Sequence, residues 1–294
     1  MFGVTEYRID LASRILAGPT PLTVIMPAPD DGMSAADFYR QKKKYKVLWL
    51  LHAGLGDNND WLRYTNICRY IQGRNTILVM PNGLQSDYAN HPEFADGYNF
   101  KDFFFEELMP FVYSWFPASE APEDNFLCGY SMGSSGAVML ALEHPEKFAA
   151  VCGFGVKNYS YLEPYREMTS GEFRKWVAAH PKEIPAGYGP SEDGIRPKEV
   201  NMIAKYPTVG AFLDSYEHTL YRYKEAARKG TLPRFYVPYS NKEPKKSHSM
   251  LWFRRVTDEL NLDHVTFEEI PDDSMAFGFC DEFLPKMLKF FRLD

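Results

Sequence analysis

A doubly wound α/β fold, with a mostly parallel sheet of eight strands and helices on both faces, is what this sequence predicts, on three observations. Short β-branched or aromatic runs recur along the 294 residues, each followed by a turn and then a helical pattern. Several of these runs, such as VLWLL, TILVM and FLCGY, are apolar throughout, as strands buried on both faces are. At 45% hydrophobic and 16% aromatic residues the chain can also bury a large core, and no repeat or low-complexity tract competes with that reading.

In chain order, strands are expected at Glu6–Leu11, Leu22–Pro27, Val47–His52, Thr76–Met80, Asn125–Cys128, Ala149–Gly153, Arg234–Pro238 and His264–Ile270. Helical patterns fall at Asn59–Gln72, Asp102–Trp115, Ser134–Glu143, Ser247–Leu260 and Asp281–Phe291. In such a fold ligands bind beyond the carboxyl ends of the strands. One crossover is far too long for a simple connection. Residues 157–232 are rich in tyrosine and proline, including Tyr159, Tyr165, Phe173, Trp176, Phe212 and Tyr223. So aromatic a segment is ordered, and it is expected to form a cap-like insertion in a single domain, walling a pocket over the carboxyl ends of the strands.

The bulk numbers exclude some functions. A formal charge of −6, from 33 basic and 39 acidic residues, with no long basic run, argues against nucleic acid or an anionic membrane surface as partner. Lys42, Lys43 and Lys44 read as a solvated loop. No stretch is apolar and long enough to span a bilayer, and MFGVTEYRID has no basic region followed by an apolar run, so a cytoplasmic address is expected. Cys68, Cys128, Cys152 and Cys280 lack CxxC or metal spacing, and three lie in apolar sequence as buried free thiols. No cluster of His, Asp and Glu shows ligand spacing, so neither metal nor cofactor is expected. A homo-oligomer is left open.

Gly129-Tyr130-Ser131-Met132-Gly133 is a G-x-S-x-G motif between the strand NFLC and the helix-forming run SSGAVMLALEH. The spacing serves a chemical need. The serine must sit in a tight, strained turn with Oγ exposed, where side chains at the flanking positions would collide with neighbouring backbone. The helix that follows offers backbone N–H groups and a positive dipole end to a developing oxyanion. The run Leu50-Leu51-His52-Ala53-Gly54-Leu55-Gly56-Asp57 ends a buried strand and opens a glycine-containing loop, the place for the other half of an oxyanion hole. The N–H groups of Ala53, or of Gly54, and of Met132 are the expected donors, each worth about 3 kcal/mol in the transition state. His52, Gly54 and Tyr130 are expected beside the substrate, His52 more as a brace beneath the loop than as a base.

WLLHAGLGDNNDWLRYTNI, ILVMPNG, EELMP with WFP, and GYSMGSSGA together resemble the esterase D-like hydrolases, a group that includes tributyrin-type, feruloyl and acetylxylan esterases and mycolyltransferase relatives. The similarity runs from about Ser13 to the C-terminus and is weakest in the insertion. It implies an α/β-hydrolase fold and hydrolysis of small-molecule carboxylic esters by a serine nucleophile, with a carboxylate after the seventh strand and a histidine after the eighth. Carried over, Ser131 is the nucleophile and Glu243 the acid, a glutamate where aspartate is commoner. The histidine position reads Pro271-Asp272-Asp273-Ser274-Met275-Ala276-Phe277, so Ser274 or Met275 stands there and neither can serve as base.

His248 and His91, in loops on the active-site side, are the leading replacements. His180 and His218 belong to the insertion, and His144 and His264 read as structural. A carbonyl-attacking esterase with His248 as base is therefore set against a hydrolase-fold protein that kept its pocket and lost catalysis. An acyltransferase, in which a sugar or lipid hydroxyl replaces water, is not separated from a hydrolase by sequence.

Overall fold

The computed structural model describes residues 3–29, 32–92, 97–154, 156, 159–180, 197–215, 218–240, 253–270 and 277–293. Its eight strands are β1 (Val4–Ser13), β2 (Gly18–Pro27), β3 (Lys46–Leu51), β4 (Thr76–Pro81), β5 (Asn125–Tyr130), β6 (Ala150–Phe154), β7 (Arg234–Ser240) and β8 (Val265–Ile270). They form one sheet in the order β1-β2-β4-β3-β5-β6-β7-β8. β1, β2 and β4 pair antiparallel, and β4-β3-β5-β6-β7 pair parallel, as expected for a mostly parallel sheet with a hairpin at one edge. All eight expected strands are present, with β1 and β2 longer because their hairpin stays in register from Val4↔Pro27 to Ser13↔Gly18.

The central strands read as continuous apolar runs because both faces are covered. Val47, Leu48, Trp49, Leu50 and Leu51 of β3 and Ile77, Leu78, Val79 and Met80 of β4 are fully buried. Cys128 of β5 lies in register with Cys152 of β6, and both, like Cys280, are buried free thiols. Among the described residues no helix is long and apolar enough to cross a membrane.

Several helices depart from the expected bounds. The stretch expected at Asn59–Gln72 is two short helices, α2 (Asp60–Tyr64) and α3 (Ile67–Tyr70), after a first helix α1 at Ala35–Arg40. Thr65 between them is extended, and the Asn66 backbone N–H donates to Asp281 Oδ1 at 2.5 Å instead of to the preceding turn. The stretch expected at Asp102–Trp115 starts earlier, at α4 (Phe100–Asp102), widens to a π-helix at Phe103–Leu108 and ends as α5 (Met109–Trp115). Pro110 accounts for the widening. Inside a regular helix it would crowd the carbonyl four residues back, and the wider turn gives that carbonyl room. α6 (Met132–Glu143) begins two residues before the expected Ser134.

The chain divides into two compact units, Met1–Phe154 with Pro233–Tyr236 and Ser274–Asp294, and Gly155–Leu232 with Val237–Asp273. The second has its own core, in which Leu162, Phe173, Ile203, Val209, Phe212 and Leu213 are buried. Its helices are α7 (Ser170–Ala179), α8 (Pro197–Ile203), α9 (Val209–Leu213) and α10 (Thr219–Arg228), of which α7 carries Phe173 and Trp176, α9 Phe212 and α10 Tyr223. The Thr169–Glu172 capping box starts α7, and Arg166 bridges Glu163 and Asp214. The first unit closes with α11 (Phe277–Phe290).

Candidate active site

β5 ends at Tyr130 and α6 begins at Met132, so Ser131 is the whole turn between them. Its backbone is strained, with φ 53° and ψ −110°, a region that L side chains avoid. The flanking glycines permit the turn. A Cβ on Gly133 would run into the carbonyl oxygens of Leu51 and His52, the latter at 2.6 Å, and a Cβ on Gly129 would meet Gly133 and the Ser134 nitrogen at 2.5 Å. Ser131 is exposed, in contrast to the buried Gly129 and the buried run Met132–Val138. It occupies the N-cap position of α6, yet its side chain makes no capping hydrogen bond. The hydroxyl therefore stands at the positive end of a twelve-residue helix without being spent on it.

The loop after β3 lies against the start of α6. A Cβ on Gly54 would be 3.8 Å from Met132 Cβ, so the two strand ends that carry the expected oxyanion donors adjoin. Ala53 and Met132 are both nearly buried, at 9% and 7% exposure. Gly56 N–H donates to the Ala53 carbonyl at 3.2 Å, closing a turn with Leu55 at φ 66°.

His52 holds this loop in place. Its Nδ1 donates to the Ala53 carbonyl at 2.7 Å and its Nε2 accepts from Gly83 N–H at 2.8 Å. These partners assign the Nδ1–H tautomer, and burial pushes the imidazole below its usual pKa. At 1% exposure, with both ring nitrogens engaged, His52 is suited to bracing rather than to touching a ligand. Its backbone N–H donates to Tyr88 Oη at 3.0 Å, and burial raises the Tyr88 phenol pKa. Asp60 is buried beneath the same loop, and its carboxyl pKa is raised by that burial.

Sequence reasoning passed over Tyr88 and Asp60. One signal for Tyr88 was available, because a Cβ on Gly136, a glycine inside a strong helix former, would fall 2.6 Å from the Tyr88 ring. Phe277 was also missed. Its ring packs on Tyr130 at 4.7 Å, on Trp61 at 5.4 Å and on Tyr64 at 5.3 Å, giving the residue beside Ser131 an aromatic wall.

The described histidines are engaged elsewhere. His91 Nε2 meets the Ser86 carbonyl at 2.9 Å. His180 Nδ1 meets the Trp176 carbonyl at 2.9 Å and its ring stacks on that indole. His218 is buried between the Leu213 carbonyl and Tyr159 N–H, and His144 pairs with Glu146. His264 Nδ1 faces Asp263 at 3.5 Å. Glu243, His248, Ser274 and Met275 lie outside the described residues.

With this geometry in hand, the comparisons with known proteins agree in kind. The Esterase family, described as "Putative esterase", matches residues 33–183, just over half of the chain. An acetyl esterase of Caldicellulosiruptor saccharolyticus is 28% identical over 145 residues, 49% of this chain and 53% of the relative. The chain thus matches about half the length of that curated relative. FphF, a fluorophosphonate-binding serine hydrolase of Staphylococcus aureus, superposes with a TM-score of 0.73 at 22% identity, over 99% of this chain and 100% of its own. S-formylglutathione hydrolase FrmB of Staphylococcus aureus gives 0.71 at 21% identity, over 98% of each chain. At such identities the two structures speak to the fold, which is the α/β-hydrolase fold.

Proposed function

This chain belongs to the Esterase family, and on that premise we propose that it hydrolyses small-molecule carboxylic esters with Ser131 as nucleophile. The observation that carries the reading is Ser131 itself, exposed at positive φ between β5 and α6 with its hydroxyl free of capping. The similarity to a relative named acetyl esterase directs the proposal to esters with small acyl groups.

In the proposed reaction Ser131 Oγ attacks the ester carbonyl while a base takes its proton. The N–H groups of Ala53 and Met132 hold the oxyanion, with Gly54 and Tyr130 beside the acyl group. The base returns the proton to the departing alcohol, and water then cleaves the acyl-enzyme by the same steps reversed. His248 is proposed as the base and Glu243 as its orienting carboxylate. What supports His248 is its place in the sequence shortly after the acid position that follows β7, while His52 and His218, buried with both ring nitrogens engaged, have none free to act as base. A second reading, a hydrolase-fold protein with enfeebled catalysis, is favoured by Ser274 and Met275 standing at the histidine position.

A fluorophosphonate probe, with turnover of 4-nitrophenyl acetate, separates the two. In the first reading Ser131 is labelled fast, and both His248→Ala and Ser131→Ala lower turnover by about a thousandfold or more. In the second, labelling is slow, His248→Ala changes little, and Ser274→His or Met275→His raises the rate. Labelling and turnover that survive Ser131→Ala would sink both.

A further inference from the structure

Among the described residues of the first unit seven non-glycine residues have positive φ, and five of them, all but Ala17 and Arg292, lie on the loops around Ser131. Leu55 (φ 66°), Leu84 (φ 46°), Asp87 (φ 54°), Tyr88 (φ 55°) and Ser131 (φ 53°) are all non-glycine residues in the left-handed region, and all follow β3, β4 or β5. Strain has an evident use at Ser131 and at Tyr88, whose hydroxyl braces His52. Leu55 and Leu84 have none of that kind. Leucine has no polar side chain to offset the left-handed conformation, and its Cβ crowds the following carbonyl. Leu55 fills the third position of the Ala53–Gly56 turn, where positive φ calls for glycine. Leu55 is nonetheless 95% exposed, and Leu84 is 49% exposed. Among the described residues, the other large exposed apolar side chains, such as Tyr7, Tyr39 and Trp115, are not at positive φ.

The two leucines share one rim. His52 Nε2 accepts from Gly83 N–H at 2.8 Å, tying the loop after β3 to the loop after β4. A Cβ on Gly54 would lie 3.2 Å from Gln85 Oε1 and 3.8 Å from Met132 Cβ, so the neighbours of Leu55 and Leu84 meet beside the start of α6. Leu84 N–H donates to Asn82 Oδ1 at 2.9 Å, which fixes the backbone that holds its side chain outward. We infer that Leu55 and Leu84 are specificity-determining residues that hold the hydrocarbon part of the ester, on its acyl or its alcohol side. The inference rests on the esterase reading above. The chemistry is apolar on both sides: covering either leucine with an alkyl group removes both surfaces from water, which repays the exposure that the fold leaves in place.

The test compares the wild-type chain with Leu55→Gly, Leu84→Gly and Leu55→Met. One series varies the acyl group of 4-nitrophenyl esters from acetyl to hexanoyl, and another varies the alcohol of acetate esters from ethyl to hexyl. Each glycine variant is expected to lower the six-carbon-to-short ratio of kcat/KM about fivefold in one of the two series, the scale of burying about one methylene. The series that responds assigns the side of the ester. Leu55→Met restores the ratio, and the Tm of Leu55→Gly holds or rises because glycine relieves the turn.

Binding of hexanoate and hexanol to the Ser131→Ala protein, followed by NMR, reads the same contact without turnover. Weaker binding in the glycine variants supports the inference even where hydrolysis itself fails. Ratios and binding unchanged in every variant overturn it. So does an unchanged ratio with loss of a dimer in sedimentation, which would make the leucines a self-association contact.

Discussion

At Ser131 and Gly133 the steric demands of the turn are met by two adjacent backbones with no room to spare. Ser131 is bent to φ 53°, and Gly133 passes so close to β3 that a methyl group there would strike the Leu51 and His52 carbonyls. Those carbonyls lie at the end of the strand whose following loop carries the proposed oxyanion donor Ala53, so the contact would link chemistry to packing. Gly133→Ala should therefore cost about 3 kcal/mol, the upper range for forcing a methyl group into packed backbone. Urea denaturation would measure it, and a midpoint within error of wild type would mean that α6 slides away from β3 at little cost. The variant should also lose probe labelling at Ser131, because relief of the clash displaces Met132.

At the scale of single elements, one carboxylate decides where a helix stops. Asp281 of α11 accepts from the Asn66 backbone N–H, from Asn66 Nδ2 at 2.7 Å and from the Tyr70 hydroxyl at 3.3 Å. This set replaces the intrahelical bond that would have joined α2 to α3, and it anchors the start of α11, where Phe277 packs on Tyr130. Asp281→Ala is expected to destabilise the chain by about 1–2 kcal/mol, as the loss of charge-assisted bonds at a partly exposed position does. Asp281→Asn, which keeps one acceptor, should recover part of that loss. Equal denaturation midpoints for all three proteins would assign the break between α2 and α3 to Thr65 and Asn66 alone.

Over the whole molecule, stability should fall with acid, and buried histidines are one reason. Burial pushes His218, in the core of the second unit, down to about 4 from an ordinary 6.5, and it lowers His52 in the first unit as well. Between the folded and unfolded values the unfolded chain binds the extra proton. The contribution of His218 is thus complete above pH 6.5 and drains away as pH falls toward 4, by about 3 kcal/mol in all. Thermal melts between pH 7 and pH 4.5 should show this decline, and His218→Gln should flatten it while lowering stability at pH 7. A wild-type Tm that is level across the range would contradict the burial of a neutral imidazole at 218.

The sequence by itself determined the eight strands, the mostly parallel sheet, the serine turn and the loop facing it. Each depends on local features: apolar runs long enough to be covered on both faces, and glycines whose spacing only a tight strand-to-helix turn requires. The tertiary structure alone decided the rest. The helix expected at Asn59–Gln72 was broken by a carboxylate 215 residues away in the chain. His52 was expected as a brace, but the partner that holds its Nε2, the backbone N–H of Gly83, follows a different strand. Tyr88, Asp60 and Phe277 entered the site through contacts that no periodicity encodes. Local sterics and hydrophobic patterning act over a few residues and can be read along the chain, whereas partners for buried polar groups come from wherever the fold brings the chain back on itself.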